Sequence, residues 1–353
     1  MKTKIYTTID NEVIEDWWKL WEKSPYANYT NAPQWFLAVK ETFTHSDYVI
    51  VALYEEKKLV AVGALVKEKK YGIDVYTIPA ENYVCGTPFL FIRQDKKIIK
   101  TIVENLSKLG TVFLANIPDD FVTQLNISTI KMDAIRQTVN YYLPLVKDEK
   151  GIAIIPNKKK LLHKIRDMEE RFIIRTTDGT TNEPFSAVFS IDIESRKQQK
   201  GYSTFTDSKA KDLFISLAKH FKEHLWINIL YFDKKPIAYE IGFAVGKKYF
   251  GNQISYIANY MQYSPGKVMI ARLIEKLISS GLEYMDLGSG DSSIKRGVTK
   301  EKRDLYQVVI SKNKMTRMYI SRICQSRNYL FDQLHQRVKI YSTYRKIRSI
   351  LPL

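Results

Sequence analysis

Glu240 is the single acidic residue in the apolar run "PIAYEIGFAV" that starts at Pro236. A carboxylate inside an apolar strand loses hydration, so its pKa rises and it becomes a competent base for an ammonium proton. The competing reading is a strand residue facing water or held in a salt bridge. Alternation places Glu240 on the strand face of Ala238 and Gly242, opposite Tyr239 and Ile241, and these small neighbours leave room for a ligand. Asp286, in "YMDLG", is the rival carboxylate; at a strand end it can equally cap the following loop. Lys295 and Arg296 stand together in the loop before Gly297, in "SSIKRG". Adjacent cations suit a phosphate or a developing oxyanion, and are otherwise ordinary surface charge.

A second chemical feature is the stretch "YSPGKV", Tyr263-Ser264-Pro265-Gly266-Lys267-Val268. Ser264 reads as a helix cap, Pro265 as the first turn, and Gly281 as the stop. A helix start with free N–H groups binds anions, and Gly266 stands where a Cβ would keep a phosphate from the backbone. The bland reading is a turn glycine with nothing bound. Tyr256, Tyr260 and Tyr263 precede this helix and can pack on a carrier or sugar, or one can protonate a leaving thiolate. With 23 tyrosines in the chain, core packing competes for each. The five histidines do not cluster, and no HExxH spacing occurs, so no metal is predicted. Cys85 and Cys324 are the only cysteines and read as reduced, intracellular thiols. Neither a signal peptide nor an eighteen-residue apolar span is visible.

The elements that position these residues occur twice. "LYEEKKLVAVGALVKEKK" from Leu53 aligns with "LYFDKKPIAYEIGFAVGK" from Leu230 at an offset of 177. Each reads as a hairpin with a charged turn. "VENLSKLGTVFLANI" from Val103 aligns with "IEKLISSGLEYMDLG" from Ile274 at an offset of 171, each the end of a helix, a glycine and a strand. The helix in "DSKAKDLFISLAKHFKEH" and that in "NAPQWFLAVKETF" precede the hairpins. Each half therefore reads helix, hairpin, strand, helix, strand, which is a mixed α/β sheet. "NKKKLLHKIRDMEERF" reads as one basic helix with Leu161, Leu162, Ile165 and Met168 inward, and "TTDGTTNEP" as a loop.

Net charge is +17 and uneven. From Ser311 to Leu353 ten Lys or Arg face one acid, Asp332, a net of +9. Met315, Tyr319, Ile323, Leu330, Leu334, Val338 and Tyr341 repeat at helical spacing there. The expected arrangement is one or two helices with this stripe on the protein; contact with an anionic membrane is the alternative.

These residues carry a resemblance. In order, "ILYFDKKPIAYEIGFAVGKKYFG", "ISYIANYMQYSPGKVMI", "GLEYMDLGSGD" and "SSIKRG" before "LYQVVIS" make the span from about Pro156 to Ser311 resemble the GNAT acyltransferase fold. More narrowly, the span is similar to the CelD-like, or BioF-like, acetyltransferases of bacterial polysaccharide and envelope pathways. With "APQWFLAV" and "IPAENYVCGTPFL" in the first half, the whole resembles the tandem GNAT domains of Fem peptidyltransferases. The resemblance implies an α/β fold of tandem GNAT-like domains with mixed, mostly antiparallel sheets flanked by helices. It implies domains at 1–148 and 149–310, followed by a basic helical tail at 311–353.

The implied activity is cytoplasmic transfer of an acyl group from acyl-CoA, in the first instance acetyl-CoA, to an amine or hydroxyl. The acceptor would be a sugar nucleotide, a lipid-linked sugar or another envelope precursor. The family's pyrophosphate turn is Gln/Arg-x-x-Gly-x-Gly/Ala; here Tyr263, Gly266 and Val268 stand at its three fixed places. The first copy has "FIRQDKK" in the same position and no Ser-Pro-Gly, which assigns the donor to the second half. The Fem-like pattern implies an active-site role for Lys295, with Asn82 and Tyr83 on the acceptor side. The alternatives are Fem-like transfer from aminoacyl-tRNA and a non-catalytic protein that binds membrane or nucleic acid. Against tRNA, no long helical hairpin is inserted in the second half.

Overall fold

The computed structural model describes residues 1–43, 47–93, 95–125 and 131–336. In chain order the elements of the first half are β1 (Lys2–Tyr6), α1 (Asn11–Lys23), α2 (Pro33–Thr42), β2 (Tyr48–Glu55), β3 (Lys58–Lys70), β4 (Ile73–Thr77), β5 (Phe89–Phe91), α3 (Lys96–Leu109), β6 (Val112–Pro118) and α4 (Asp119–Leu125). Then come β7 (Met132–Pro144), α5 (Lys158–Leu162), β8 (Phe172–Asp178), α6 (Glu183–Ile193), α7 (Arg196–Gln199), α8 (Ser208–Phe221), β9 (Leu225–Phe232), β10 (Lys235–Val245) and β11 (Lys248–Tyr256). The last are α9 (Pro265–Ser279), β12 (Tyr284–Ser289), α10 (Ser293–Val298), β13 (Lys302–Ile310) and α11 (Lys314–Gln336).

Contacts divide the chain into two compact units. The first joins Met1–Thr138 to the described residues from Arg303 onward, and the second is Val139–Lys302. In the first, strands run in the order β1-β2-β3-β4-β6-β13-β7, with β5 on β3. In the second they run β7-β12-β11-β10-β9-β8. The expected element order recurs: α2, β2–β3, β4, α3 and β6 correspond to α8, β9–β10, β11, α9 and β12. In both units the last two strands of this series lie parallel, β4 with β6 and β11 with β12, because a helix crosses between them.

The duplication extends to backbone angles. Both hairpins turn through two residues with positive φ, Glu56 (46°) and Lys57 (70°), then Asp233 (47°) and Lys234 (67°), at the same offset found in the sequence. Such turns match the twist of the flanking strands, and a side chain in this region costs about 1–2 kcal/mol. Neither turn uses glycine, so the strand pairing on either side holds them.

The core of the second unit lies between its sheet and α9. That helix buries Val268, Met269, Ala271, Leu273, Ile274 and Leu277 over Leu230, Ala238 and Tyr249. Leu161, Leu162 and Ile165 face inward as expected, with Met168 packed on the same cluster. They do not share one helix, however. α5 ends at Leu162, and a separate 3-10 turn spans Arg166–Arg171 with Met168 outside helical angles. Three lysines in one short turn and the need to bury Ile165 favour this break. The stretch expected as loop contributes Thr176, Thr177 and Asp178 to β8.

α11 corrects a further expectation. The sequence stripe turns Met315, Tyr319 and Leu330 toward the protein, yet they are exposed at 73%, 49% and 53%. The inward face holds Ile320 and Cys324 among Val75, Phe113, Ala115, Ile135 and Val309. Arg317 and Ser321 on that face both bind the carboxylate of Asp133. A face that mixes two apolar residues with an ion pair and polar hydrogen bonds gives little hydrophobic period, so the periodicity points to the opposite side. Leu334, Val338 and Tyr341 lie outside the described side chains. Among the described residues no helix is long and apolar enough to cross a membrane.

Replacing Lys57 or Lys234 by Gly relieves one positive-φ side chain in each hairpin. Each change is expected to stabilise its unit by about 1 kcal/mol, read as a higher thermal midpoint. A lower midpoint would mean that these turns are not of this type.

Candidate functional site

The site begins with a polar row across an apolar sheet. Thr176, Asn228 and Glu240 are direct cross-strand neighbours on β8, β9 and β10. The Thr176 hydroxyl donates to Asn228 Oδ1 at 2.7 Å, and Asn228 Nδ2 donates to Glu240 Oε2 at 2.7 Å. Tyr249, on β11, donates its phenol to the same Oε2 at 2.5 Å. Glu240 is 2% exposed, and its Oε1 has no hydrogen-bond partner. Burial pushes this carboxyl up to about 8, against the opposing pull of the Tyr249 and Asn228 hydrogen bonds. The room expected beside Gly242 is filled: a Cβ there would stand 2.4 Å from the Tyr249 phenol oxygen. The glycine accommodates the phenol, not a ligand.

β11 and β12 then separate. Their parallel register runs only from Lys248↔Tyr284 to Phe250↔Asp286. The next residue of β11, Gly251, has no side chain where a Cβ would lie 3.2 Å from both Glu240 Oε1 and the Asp286 carbonyl oxygen. A register shift follows, with Ile241 opposite Gln253 and Gly242 opposite Gly251, so Asn252 is the extra residue of a bulge. Gly288 of β12 takes φ +74°, and a Cβ on it would meet the Gly251 carbonyl at 3.0 Å. The orphaned carboxylate oxygen thus lies beside Gly251, whose own carbonyl is approached by Gly288, at the point where the strands part.

Asp286 performs the capping role. Its Oδ1 accepts from Gly288 N–H and from Asn140 Nδ2, both at 2.7 Å. Lys295 and Arg296 lie on α10, not in a loop. The Lys295 ammonium donates to the carbonyls of Gly288, Ser289 and Gly290 at 2.9, 2.7 and 3.2 Å. Arg296 pairs with Asp291, which also accepts from the Tyr141 phenol at 3.0 Å. These groups fix the loop after β12, and Lys295 holds that loop rather than presenting a bare cation.

The start of α9 differs from the cap read in the sequence. Ser264 is left-handed (φ 55°, ψ 53°) and its side chain caps nothing. A capping serine needs extended angles. Here the Ser264 N–H closes the preceding 3-10 turn onto Met261 O at 3.0 Å, which sets the angles instead. The corresponding helix α3 has Asp95 in the extended region, its carboxylate accepting from Ile98 N–H at 2.8 Å. One helix start thus carries a carboxylate, and the other has no side-chain cap. Gly266 keeps helical angles; its missing Cβ would stand 3.0 Å from Ile294 of α10 and 3.8 Å from the Tyr256 ring. Pro265 and Val268 are buried, while Lys267 is half-buried.

The three tyrosines separate. Tyr256 hydrogen-bonds Arg196 of α7 and raises that guanidinium's pKa. Tyr260 and Tyr263 pack with Phe232, at ring distances of 5.9 and 5.3 Å, and Tyr263 with Phe172 at 5.9 Å. Asn82 and Tyr83 belong to the first unit, in a 3-10 turn after β4, with Asn82 exposed and Tyr83 half-buried. The structure therefore joins Glu240, Asp286 and Lys295 through the diverging β11–β12 pair. It joins Gly266, Tyr256 and Ile294 at the start of α9.

Sequence reasoning missed Asn228, Tyr249, Asn140 and Arg196. Asn228 has a signal, as the sole polar side chain within "WINILYF" after Trp226. It also missed Asp192 of α6, 2% exposed, which accepts from Tyr239 at 2.8 Å and from Ser203 on the other face of β10. Among the described residues no group of three His, Cys, Asp or Glu could hold a metal ion.

Residues 157–296 match the family profile described as an acetyltransferase (GNAT) domain. No curated protein matches the chain. Among solved structures it is similar to FemX, at 10% identity over 87% of this chain and 97% of that one, with a TM-score of 0.62. It is similar to L-PGS from Bacillus licheniformis at 12% identity, over 90% and 97% of the two chains, with a TM-score of 0.56. A tandem GNAT protein from the clavulanic acid biosynthesis pathway matches at 9% identity, over 89% and 100%, with a TM-score of 0.50. At these identities the likeness is one of fold: a GNAT-like α/β fold, tandem in the last of these relatives.

Glu240 binds its proton more tightly folded than unfolded, so the folded state holds more protons between the ordinary carboxylate range and about pH 8. Stability must therefore fall as pH rises through that window. Denaturant midpoints measured from acid to pH 8 should show this slope in the wild type, reduced in Glu240→Gln. Equal slopes would mean that Glu240 is not the buried proton. Gly242→Ala displaces the Tyr249 phenol and should cost about 1–3 kcal/mol.

Proposed function

We propose that the second unit transfers an acyl group from acyl-CoA, in the first instance acetyl-CoA, to an amine of a sugar or envelope precursor. The observation that carries this reading is the orphaned, buried Oε1 of Glu240 beside Gly251, where β11 leaves β12. In a parallel pair followed by a helix, the crevice beyond the carboxyl ends of the strands is the usual place for a ligand. The first turn of α9, Tyr263 to Val268, has no side-chain cap; the Lys267 and Val268 N–H groups turn back onto Ser264 O, which leaves the Gly266 N–H and the Lys267 ammonium to meet a pyrophosphate. Nothing acidic caps this turn, whereas Asp95 occupies the matching place on α3. The donor therefore belongs to the second copy.

The reaction is direct attack. The amine nitrogen forms a bond to the thioester carbonyl carbon, the C–S bond breaks, and the thiolate leaves and takes a proton. Glu240 Oε1 receives the proton that the ammonium loses, through a carboxyl whose pKa of about 8 suits an amine. Tyr256 is the phenol placed to protonate the thiolate, with Arg196 hydrogen-bonded to it. Asp286 and Lys295 position the loop after β12, and Arg296 braces it through Asp291. The acceptor is a sugar nucleotide or lipid-linked sugar. The reaction belongs in the cytoplasm, where acyl-CoA is available. Transfer from aminoacyl-tRNA is the rival reading, motivated by the likeness in fold to FemX.

Calorimetric titration of the full chain with coenzyme A and with tRNA separates the two donors. Coenzyme A should bind, and Lys267→Glu, at a half-buried position of the same turn, should weaken that binding at least about tenfold by reversing the charge there. Among amine acceptors that are turned over, Glu240→Gln should lower kcat about 10²–10⁴-fold. In the wild type kcat/KM should rise with pH up to about 8 as the base deprotonates. Binding of tRNA without coenzyme A, or full activity in Glu240→Gln, would overturn the assignment.

A further inference from the structure

We propose that the outward face of α11 docks on an anionic lipid surface. Met315, Tyr319, Arg322, Ser326, Tyr329 and Leu330 follow one another by steps of four, three, four, three and one, so they share one side of the helix. All six are exposed, opposite the face that buries Ile320 and Cys324. Tyr329 is 64% exposed and Leu330 53%, although α11 is anchored by Arg317, Ser321 and Asn328 on its other side. Packing therefore holds the helix with an apolar stripe directed at solvent.

The charge around the stripe identifies the occupant. Lys312, Lys314 and Arg322 are exposed there, and Asp332 is the single acidic residue from Ser311 to Gln336. Beyond the described residues the sequence adds Arg337, Lys339, Arg345, Lys346 and Arg348 with no acid. Exposed Met and Leu beside Tyr and Lys or Arg suit the boundary between acyl chains and headgroups, where each nearby cation contributes about 1 kcal/mol. A nucleic acid backbone would use the cations and leave Met315 and Leu330 unpartnered. A second copy of α11 would enclose Arg322 within an apolar interface, opposed to its own symmetry mate. At a lipid surface the guanidinium reaches out to the phosphates. The docking is independent of the acyl-transfer reading, because none of these residues belongs to the donor site.

Flotation of the full chain with vesicles tests this, using phosphatidylcholine alone and phosphatidylcholine with phosphatidylglycerol, at low and high salt. The wild type should float with the anionic vesicles at low salt, less at high salt, and little with phosphatidylcholine alone. Met315→Glu/Leu330→Glu should reduce binding at least about tenfold, since each substitution removes a buried apolar side chain. Met315→Ser/Leu330→Ser should reduce it less, and both variants should keep the wild-type thermal midpoint because the residues are exposed. No flotation with anionic vesicles, or equal flotation of wild type and both variants, overturns the proposal. It also fails if sedimentation shows a dimer that both variants dissolve, or if they abolish tRNA binding, while vesicles go unbound.

Discussion

The phenol of Tyr249 lies across the Cα of Gly242 and reaches the carboxyl of Glu240. Four strands, β8 to β11, depend on this contact. Asn228 must stand opposite Glu240 on β9 to share the same oxygen, and Thr176 must stand opposite Asn228 on β8 to satisfy its amide oxygen. A one-residue slip in any pairing would turn a polar member of the row to the other face of the sheet. Leaving a buried polar group unmet costs about 1–3 kcal/mol. The row therefore fixes register as well as chemistry. Its one unmet atom, Glu240 Oε1, lies where the sheet stops being continuous.

Around that atom glycine does two different jobs. Gly242 makes room for a neighbour's side chain, and Gly251 lets the backbone approach the carboxylate closely. Gly288 permits the left-handed angle from which the loop after β12 departs, and Asp286 and Lys295 then hold that loop by its N–H and carbonyl groups. Several charges that look reactive in the sequence are thus occupied in shaping backbone.

The fold was largely legible because its signals are local. Two charged two-residue turns, two glycine stops and two helical periods repeat in order, and the offset of 177 recurs in the turn angles. The site was legible only where one residue carried the signal. Glu240 stands out in an apolar strand, but the part of Tyr249 depends on a cross-strand approach over Gly242 that no spacing encodes. Ser264 has the residue type of a cap without the angles, which belong to the turn before it. Tyr260 and Tyr263 are drawn into an aromatic cluster by Phe172 and Phe232, residues far away in sequence. Periodicity failed on α11 because its inward face is held as much by polar contacts of Arg317, Ser321 and Asn328 as by apolar contact.

The first unit takes its strand β13 from beyond the whole of the second. β13 pairs with β6 through Val308↔Leu114, Val309↔Phe113 and Ile310↔Val112, and α11 then covers the cluster that contains Phe113 and Val309. A chain emerging from the ribosome would expose the edge of β6 and the apolar patch around Phe113 until the second unit, β13 and α11 had been made. The half that is synthesised first is therefore the half that is completed last, and the order of translation is not the order of folding.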